Sequence, residues 1–261
     1  MDKLKSVVIA VVTFYKTMEE LRFKLACQTI GNAIAHGHAV VVVDGSPNPE
    51  VAKKFVELGA KVFPELHRGL GPSKRQSFFH ASEIASQEGY AAVLACEAEK
   101  DLAEFVPELL DPVLTGEATV VVPERTAEGW NSYPEFQRQT EREANNVFLE
   151  ETRISLDIMF GPVLFTKRTA RHFVIQDPKN WGFVDGYAQH LGVLQSWFNA
   201  TLAVGEVVPV EIEFRYPAEQ RAEEEGALTD AMKAKRLQQR DSLIASYKSV
   251  GEKHRKMWPV E

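Results

Sequence analysis

Glu97 and Glu99 stand two positions apart in the stretch YAAVLACEAEKD (residues 90–101), where an apolar run from Tyr90 to Cys96 ends. Such a run reads as a buried strand, so the pair lies where that strand leaves the core. Two carboxylates at a strand rim would repel a phosphate-bearing ligand. A divalent cation between them reverses that sign, because it bridges carboxylate and phosphate oxygens. Mg2+ or Mn2+ takes one or two carboxylates plus substrate phosphates, which suits this pair. The alternative is a solvated loop start, with Glu99 as first-turn helix charge.

Other residues carry similar double readings. The stretch HRGLGPSKRQSF (67–78) joins two glycines to Arg68, Lys74 and Arg75 near a helix start. Close backbone approach, free N–H groups and cations suit a phosphate, although neither G-x-x-x-x-G-K-[ST] nor G-x-G-x-x-G is matched. Asp44, in DGSPN, either caps a turn or contacts a ligand. Asp185, in NWGFVDGYAQHL, either caps a helix or serves as a catalytic carboxylate. The stretch RTAEGWNSYPEFQR (125–138) reads as an acceptor-site loop with Arg125, Trp130 and Tyr133. Trp130 and Trp181 either stack on a sugar or fill the core. His254 in the basic tail is either a metal ligand or solvated.

The elements that position these residues alternate. SVVIAVVTF, HAVVVVDGS, AKVFPE and YAAVLACE read as buried strands, each followed by a helical stretch. Thr17 and Glu20 form a capping box for the first helix, and Asn48-Pro49 opens the second. This βαβαβαβ order implies a parallel sheet with right-handed crossovers, whose ligands bind beyond the strands' carboxyl ends. Thr13, Tyr15, Asp44, Glu97 and Glu99 all fall there. Further on, ATVVVPER reads as a strand and residues 133–151 as a helix. DIMFGPVLFTK is a strand broken by Gly161 and Pro162, and EVVPVEIEFRYP alternates like a half-exposed strand. AEQRAEEEGALTD reads as a mobile loop. Residues 229–257 read as one terminal helix, with eight cations against three carboxylates and hence a net +5. That helix packs on its own domain through Met232, Leu243, Tyr247 and Val250, or meets a membrane surface, an anionic substrate or a second subunit.

The 261 residues suffice for one large domain or two interleaved halves. With 44% hydrophobic and 26% charged residues the chain is an ordinary globule, and its formal net charge of −7 argues against coating nucleic acid. No apolar run approaches the roughly 20 residues that span a bilayer, and no signal peptide is expected. Two lone cysteines, Cys27 and Cys96, fit buried thiols in a reducing cytoplasm.

The series VVIAVVTFYK, VVVVDGSPN, HRGLGPSKRQSFFHA, VLACEAEKD and ATVVVPER resembles the GT-A glycosyltransferases, especially family 2-like enzymes. NWGFVDGYAQHL and EVVPVEIEFRYP resemble that family's acidic catalytic segment and its V-P-V-x-Y-R strand. The resemblance spans residues 5 to about 217. It implies that Thr13 and Tyr15 line a nucleotide pocket, that Asp44 accepts a hydrogen bond from the base, and that Arg68 and Arg75 lie along base and diphosphate. Glu97 and Glu99 stand where the family's D-x-D metal acids stand, and Asp185 matches its general base. E-x-E in place of D-x-D lengthens each metal arm by a methylene, and Val184-Asp185 replaces the usual Glu-Asp. In a retaining enzyme Asp185 need not be a base.

The resulting expectation is a cytoplasmic α/β enzyme of GT-A type, Rossmann-like, with a mostly parallel sheet. Residues 1–124 form a nucleotide-sugar-binding half, 125–217 an acceptor half and 218–261 a loop and terminal helix. It would move a sugar from a UDP- or GDP-sugar to a hydroxyl of a small molecule, glycan or protein, with Mg2+ or Mn2+ and with inversion. Its tail helix is the candidate homodimer contact. The rivals are a nucleotidyltransferase, against which the absence of a Gly-rich loop after the first strand counts, and a non-catalytic scaffold derived from the same fold.

Overall fold

The computed structural model describes residues 4, 6–200, 207–226 and 229–257. The valine- and isoleucine-rich runs form strands because β-branched side chains pack well on a pleated surface covered on both sides. In chain order the strands are β1 (Val7–Thr13), β2 (Ala39–Asp44), β3 (Lys61–Pro64), β4 (Ala92–Ala95), β5 (Val120–Arg125), β6 (Val163–Phe165) and β7 (Val207–Ile212). They build one sheet in the order β3-β2-β1-β4-β6-β5-β7. β3, β2, β1 and β4 are mutually parallel. β6 runs antiparallel to both β4 and β5, and β7 lies parallel to β5 at the far edge.

Helices cover both faces. On one side α1 (Leu21–Ala35), α2 (Pro49–Glu57) and α4 (Val106–Leu114) pack on Val7, Ile9 and Val11. On the other, α3 (Leu70–Glu88), α6 (Glu135–Thr152), α7 (Ala170–Val174), α8 (Ala188–Ala200) and α10 (Asp230–Met257) pack on Val8 and Ala10. The period of two along β1 thus feeds two separate apolar layers. α10 is the expected terminal helix, and Leu243, Tyr247 and Val250 are fully buried on its own domain. No described helix is long and apolar enough to cross a membrane.

Three local expectations are corrected. Residues 218–226, expected as a mobile loop, form α9 (Ala218–Gly226); the Tyr216 hydroxyl and Arg236 both bond Glu224 and tie that polar helix down. The stretch 125–138, expected as an acceptor loop, forms the short α5 (Ala127–Ser132), capped by Thr126, and the start of α6. Thr17 does not cap α1, which begins only at Leu21. Half of the box survives, because Glu20 Oε1 accepts from the Thr17 N–H at 2.9 Å and the Lys16 N–H at 2.6 Å.

Candidate active site

Register builds the first part of the site. Thr13 and Asp44, the last residues of β1 and β2, lie side by side. The Thr13 hydroxyl donates to Asp44 Oδ1 at 2.7 Å, and so does Ser46 at 2.6 Å. Ser46 Oγ in turn accepts the Tyr15 N–H at 2.9 Å. The Asp44 carboxylate therefore orders the turns that follow two strands, the capping role the sequence offered.

Tyr15 departs from expectation. Its ring is 1% exposed and packs edge-on against Phe23 and Phe55, so it offers no face to a nucleotide. Its hydroxyl instead donates to Glu99 Oε1 at 2.9 Å. Burial, and then the Glu99 charge, push this phenol well above its ordinary range, so it remains a donor. The exposed aromatic at that strand end is Phe14.

Glu97 and Glu99 line one cleft of about 500 Å³ beyond β4, together with Arg22, Lys100, Tyr187, Tyr216 and, from α10, Lys235, Arg236 and Arg240. Both glutamates already have internal cations. Lys100 Nζ lies 3.0 Å from Glu97 Oε2, also donates to the Phe160 carbonyl, and sits 4.8 Å over the Phe160 ring. Arg22 Nη2 lies 2.7 Å from Glu99 Oε1. Burial alone would raise the Glu97 carboxyl, but Lys100 and Lys74 hold it below its ordinary value. Lys74 is itself pushed down to about 8 by burial. It donates to the Gly186 carbonyl at 3.0 Å and to Gln189 Oε1 at 3.1 Å. Gly161, at φ +99°, is required beside Glu97, since a Cβ there would stand 2.8 Å from Oε1.

A divalent cation fits this pair in a limited way. Among the described residues no cluster of three or more histidine, cysteine or acidic side chains could hold a metal. The protein would therefore supply at most two carboxylates, leaving other positions to phosphate and water, as Mg2+ prefers. Tyr15 and Arg22 both bond the same oxygen of Glu99, Oε1. The side chain of His254 lies outside those described.

The remaining expected residues lie apart from the cleft lining. Asp185, on a 3-10 turn before α8, is ion-paired with Arg75 in the first turns of α3. Gly71 permits this, because a Cβ there would meet the Asp185 carboxyl carbon at 2.4 Å. Arg68 is exposed. Trp181 donates to Gln176 and, through its carbonyl, accepts from Ser249, so it docks α10. Arg125 and Tyr133 are buried within the fold rather than set on an exposed loop. Arg125 bonds Asp157 through Nε at 2.7 Å and Nη2 at 2.8 Å, and Glu141 through Nη1 at 2.6 Å. Trp130 stacks 3.5 Å from that guanidinium and lines a separate hollow of about 370 Å³. Sequence reasoning missed Arg22 and Tyr187. Lys100 was in view in EAEKD, where its spacing from Glu97 was the available signal.

No family model matches the chain, and no curated protein does. Solved structures do. Glucosyl-3-phosphoglycerate synthase of M. tuberculosis is 14% identical, with 94% of this chain and 81% of that chain covered at a TM-score of 0.59. The Mycobacterium tuberculosis enzyme with UDP is 14% identical, covered over 94% and 80%, at 0.54. With Mn2+, UDP-glucose and phosphoglyceric acid it is 13% identical, covered over 94% and 80%, at 0.55. At such identities the likeness establishes the fold: this chain has the GT-A type fold.

Proposed function

We propose that the protein is a glycosyltransferase that moves a sugar from a UDP- or GDP-sugar to a hydroxyl acceptor. The observation that carries this reading is the cleft in which Glu97 and Glu99, side by side beyond β4, face the cationic residues of α10. Residues 1–124 would hold the donor and 125–217 the acceptor, with α9 and α10 bordering the cleft. Thr13 and Asp44 order the turns where the nucleotide would lie, and the exposed Arg68 would add a cation for it. Glu99, steadied by Tyr15, would hold Mg2+ or Mn2+ with Glu97 beside it. When bound, the ion offsets the charge of the departing diphosphate.

Asp185 would be the general base of an inverting displacement, taking the proton of the acceptor hydroxyl. Its pairing with Arg75 gives a physical route to that role: a diphosphate drawn to Arg75 would release the carboxylate. Structural neighbours solved with phosphoglyceric acid or glycerol 3-phosphate support an acceptor bearing an anionic group, which Lys235 would meet. Two free thiols support a reducing, cytoplasmic setting. A homodimer through α10 would use its outward polar face, because Leu243, Tyr247 and Val250 are buried within the chain.

Thermal shift with UDP, GDP and NTPs, each with and without Mn2+, followed by radiolabelled transfer from the matching nucleotide-sugar, tests the reading. Stabilisation by UDP or GDP that needs metal is expected. Stabilisation by NTPs alone favours the nucleotidyltransferase, and no response to any nucleotide favours the scaffold.

A further inference from the structure

Three donors hold the two glutamates, and they differ in freedom to leave. Tyr15 is locked between Phe23 and Phe55. The Lys100 side chain is 15% exposed and fixed by the Phe160 carbonyl and ring. The Arg22 side chain is 59% exposed and its one described ion pair is with Glu99. Arg22 sits in the first turn of α1, at the mouth of the same cleft, so it can swing without opening the core.

A divalent ion arriving at Glu99 would stand beside that guanidinium, and like charges in a partly desolvated cleft repel. A diphosphate arriving in the same cleft would attract it, and arginine offers planar, paired donors to phosphate oxygens. We infer that Arg22 is an exchangeable counter-ion: it neutralises Glu99 when no metal is bound and turns to the donor's diphosphate when a metal takes the carboxylate. This rests on the metal-assisted reading above. It makes Arg22 a positioning residue through which metal and nucleotide favour each other, and such coupling is reciprocal.

The test is Mn2+ binding followed by electron paramagnetic resonance without nucleotide, then UDP binding by calorimetry at saturating Mn2+, in the full chain. Arg22→Met keeps the aliphatic stem and removes the charge. Its Mn2+ Kd is expected to fall about two- to fivefold, the worth of one half-exposed ion pair, while UDP affinity with Mn2+ weakens by a similar factor. Arg22→Lys, retaining charge but not the fork, should bind Mn2+ like the unaltered protein and UDP more weakly.

Unchanged or weaker Mn2+ binding by Arg22→Met, with binding in the unaltered protein still abolished by Glu99→Gln, overturns the exchange and leaves the metal site standing. Tighter Mn2+ binding with unchanged UDP affinity overturns the diphosphate half. Mn2+ binding indifferent to Glu99→Gln overturns the metal reading itself, and the exchange with it.

Discussion

Arg75 and Asp185, 110 positions apart, are joined as an ion pair across the N-terminal turns of α3. The resemblance to GT-A enzymes implies one for the diphosphate side and the other for the acceptor proton; the fold makes each the other's counter-ion. On the proposed roles, separating them acts on two functions at once. Asp185→Asn is expected to lower kcat by about a hundredfold or more, as loss of a general base does, with donor KM little changed. Arg75→Ala should raise donor KM instead. Steady-state kinetics of both variants checks the split, and an Asp185→Asn enzyme of unaltered kcat sinks the base assignment.

Glu99 concentrates the metal reading. Glu99→Gln keeps the side chain's shape and a hydrogen bond to Tyr15 but loses the charge. The Mn2+-dependent part of UDP stabilisation in thermal shift should disappear, and turnover should fall with it. Equal manganese dependence in the variant and the unaltered protein would place the active centre elsewhere.

Arg125 tests the frame. It is 3% exposed, gripped by Asp157 and Glu141 and covered by the Trp130 ring. Arg125→Leu leaves two buried carboxylates without their cation, which costs about 3–5 kcal/mol. Urea unfolding should show a loss of that size in the unfolding free energy, read as the midpoint shift multiplied by the m-value. A loss under 1 kcal/mol, as for a surface pair, would contradict the buried geometry.

His190 predicts a pH dependence. It is fully buried, bonds the Tyr247 hydroxyl at 2.9 Å, and is pushed from 6.5 down to about 3 by burial, with Lys74 adding to the effect and Glu97 opposing it. Below pH 6.5 the unfolded chain takes up a proton that the folded chain refuses until about pH 3. Stability from this group is therefore complete above 6.5 and declines as the pH falls toward 3, by at most about 1.4 kcal/mol per pH unit. His190→Gln should flatten that slope in urea titrations at pH 4 to 7, and an unchanged slope would assign the acid sensitivity to other groups.

Which parts were legible follows from physics. Strands β1, β2 and β4 announced themselves because burial on both faces demands continuous apolar runs, and Glu97 and Glu99 stood out against such a run. The partners of those glutamates did not. Arg22 reaches Glu99 only because α1 packs on β2 and on the 3-10 turn at Ala103–Phe105 that follows Glu99, a long-range fact without local trace. Tyr15 reads as a rim aromatic, yet its inward turn depends on Phe23 and Phe55 closing around it. α9 was hidden because its polar composition matches a loop and its anchors, Tyr216 and Arg236, lie outside it.

The reversed strand β6 bears on synthesis. As the chain leaves the ribosome, β1 to β4 can join at once, each new strand meeting an existing neighbour. β5 emerges next but cannot dock on β4, because Val163–Phe165 must slot between them. Until then the backbone of Val93–Ala95 is an open edge, able to capture a nascent neighbour by the same pairing. A pause before Val163–Phe165 has left the ribosome would prolong that exposure, and a pause after its emergence would not.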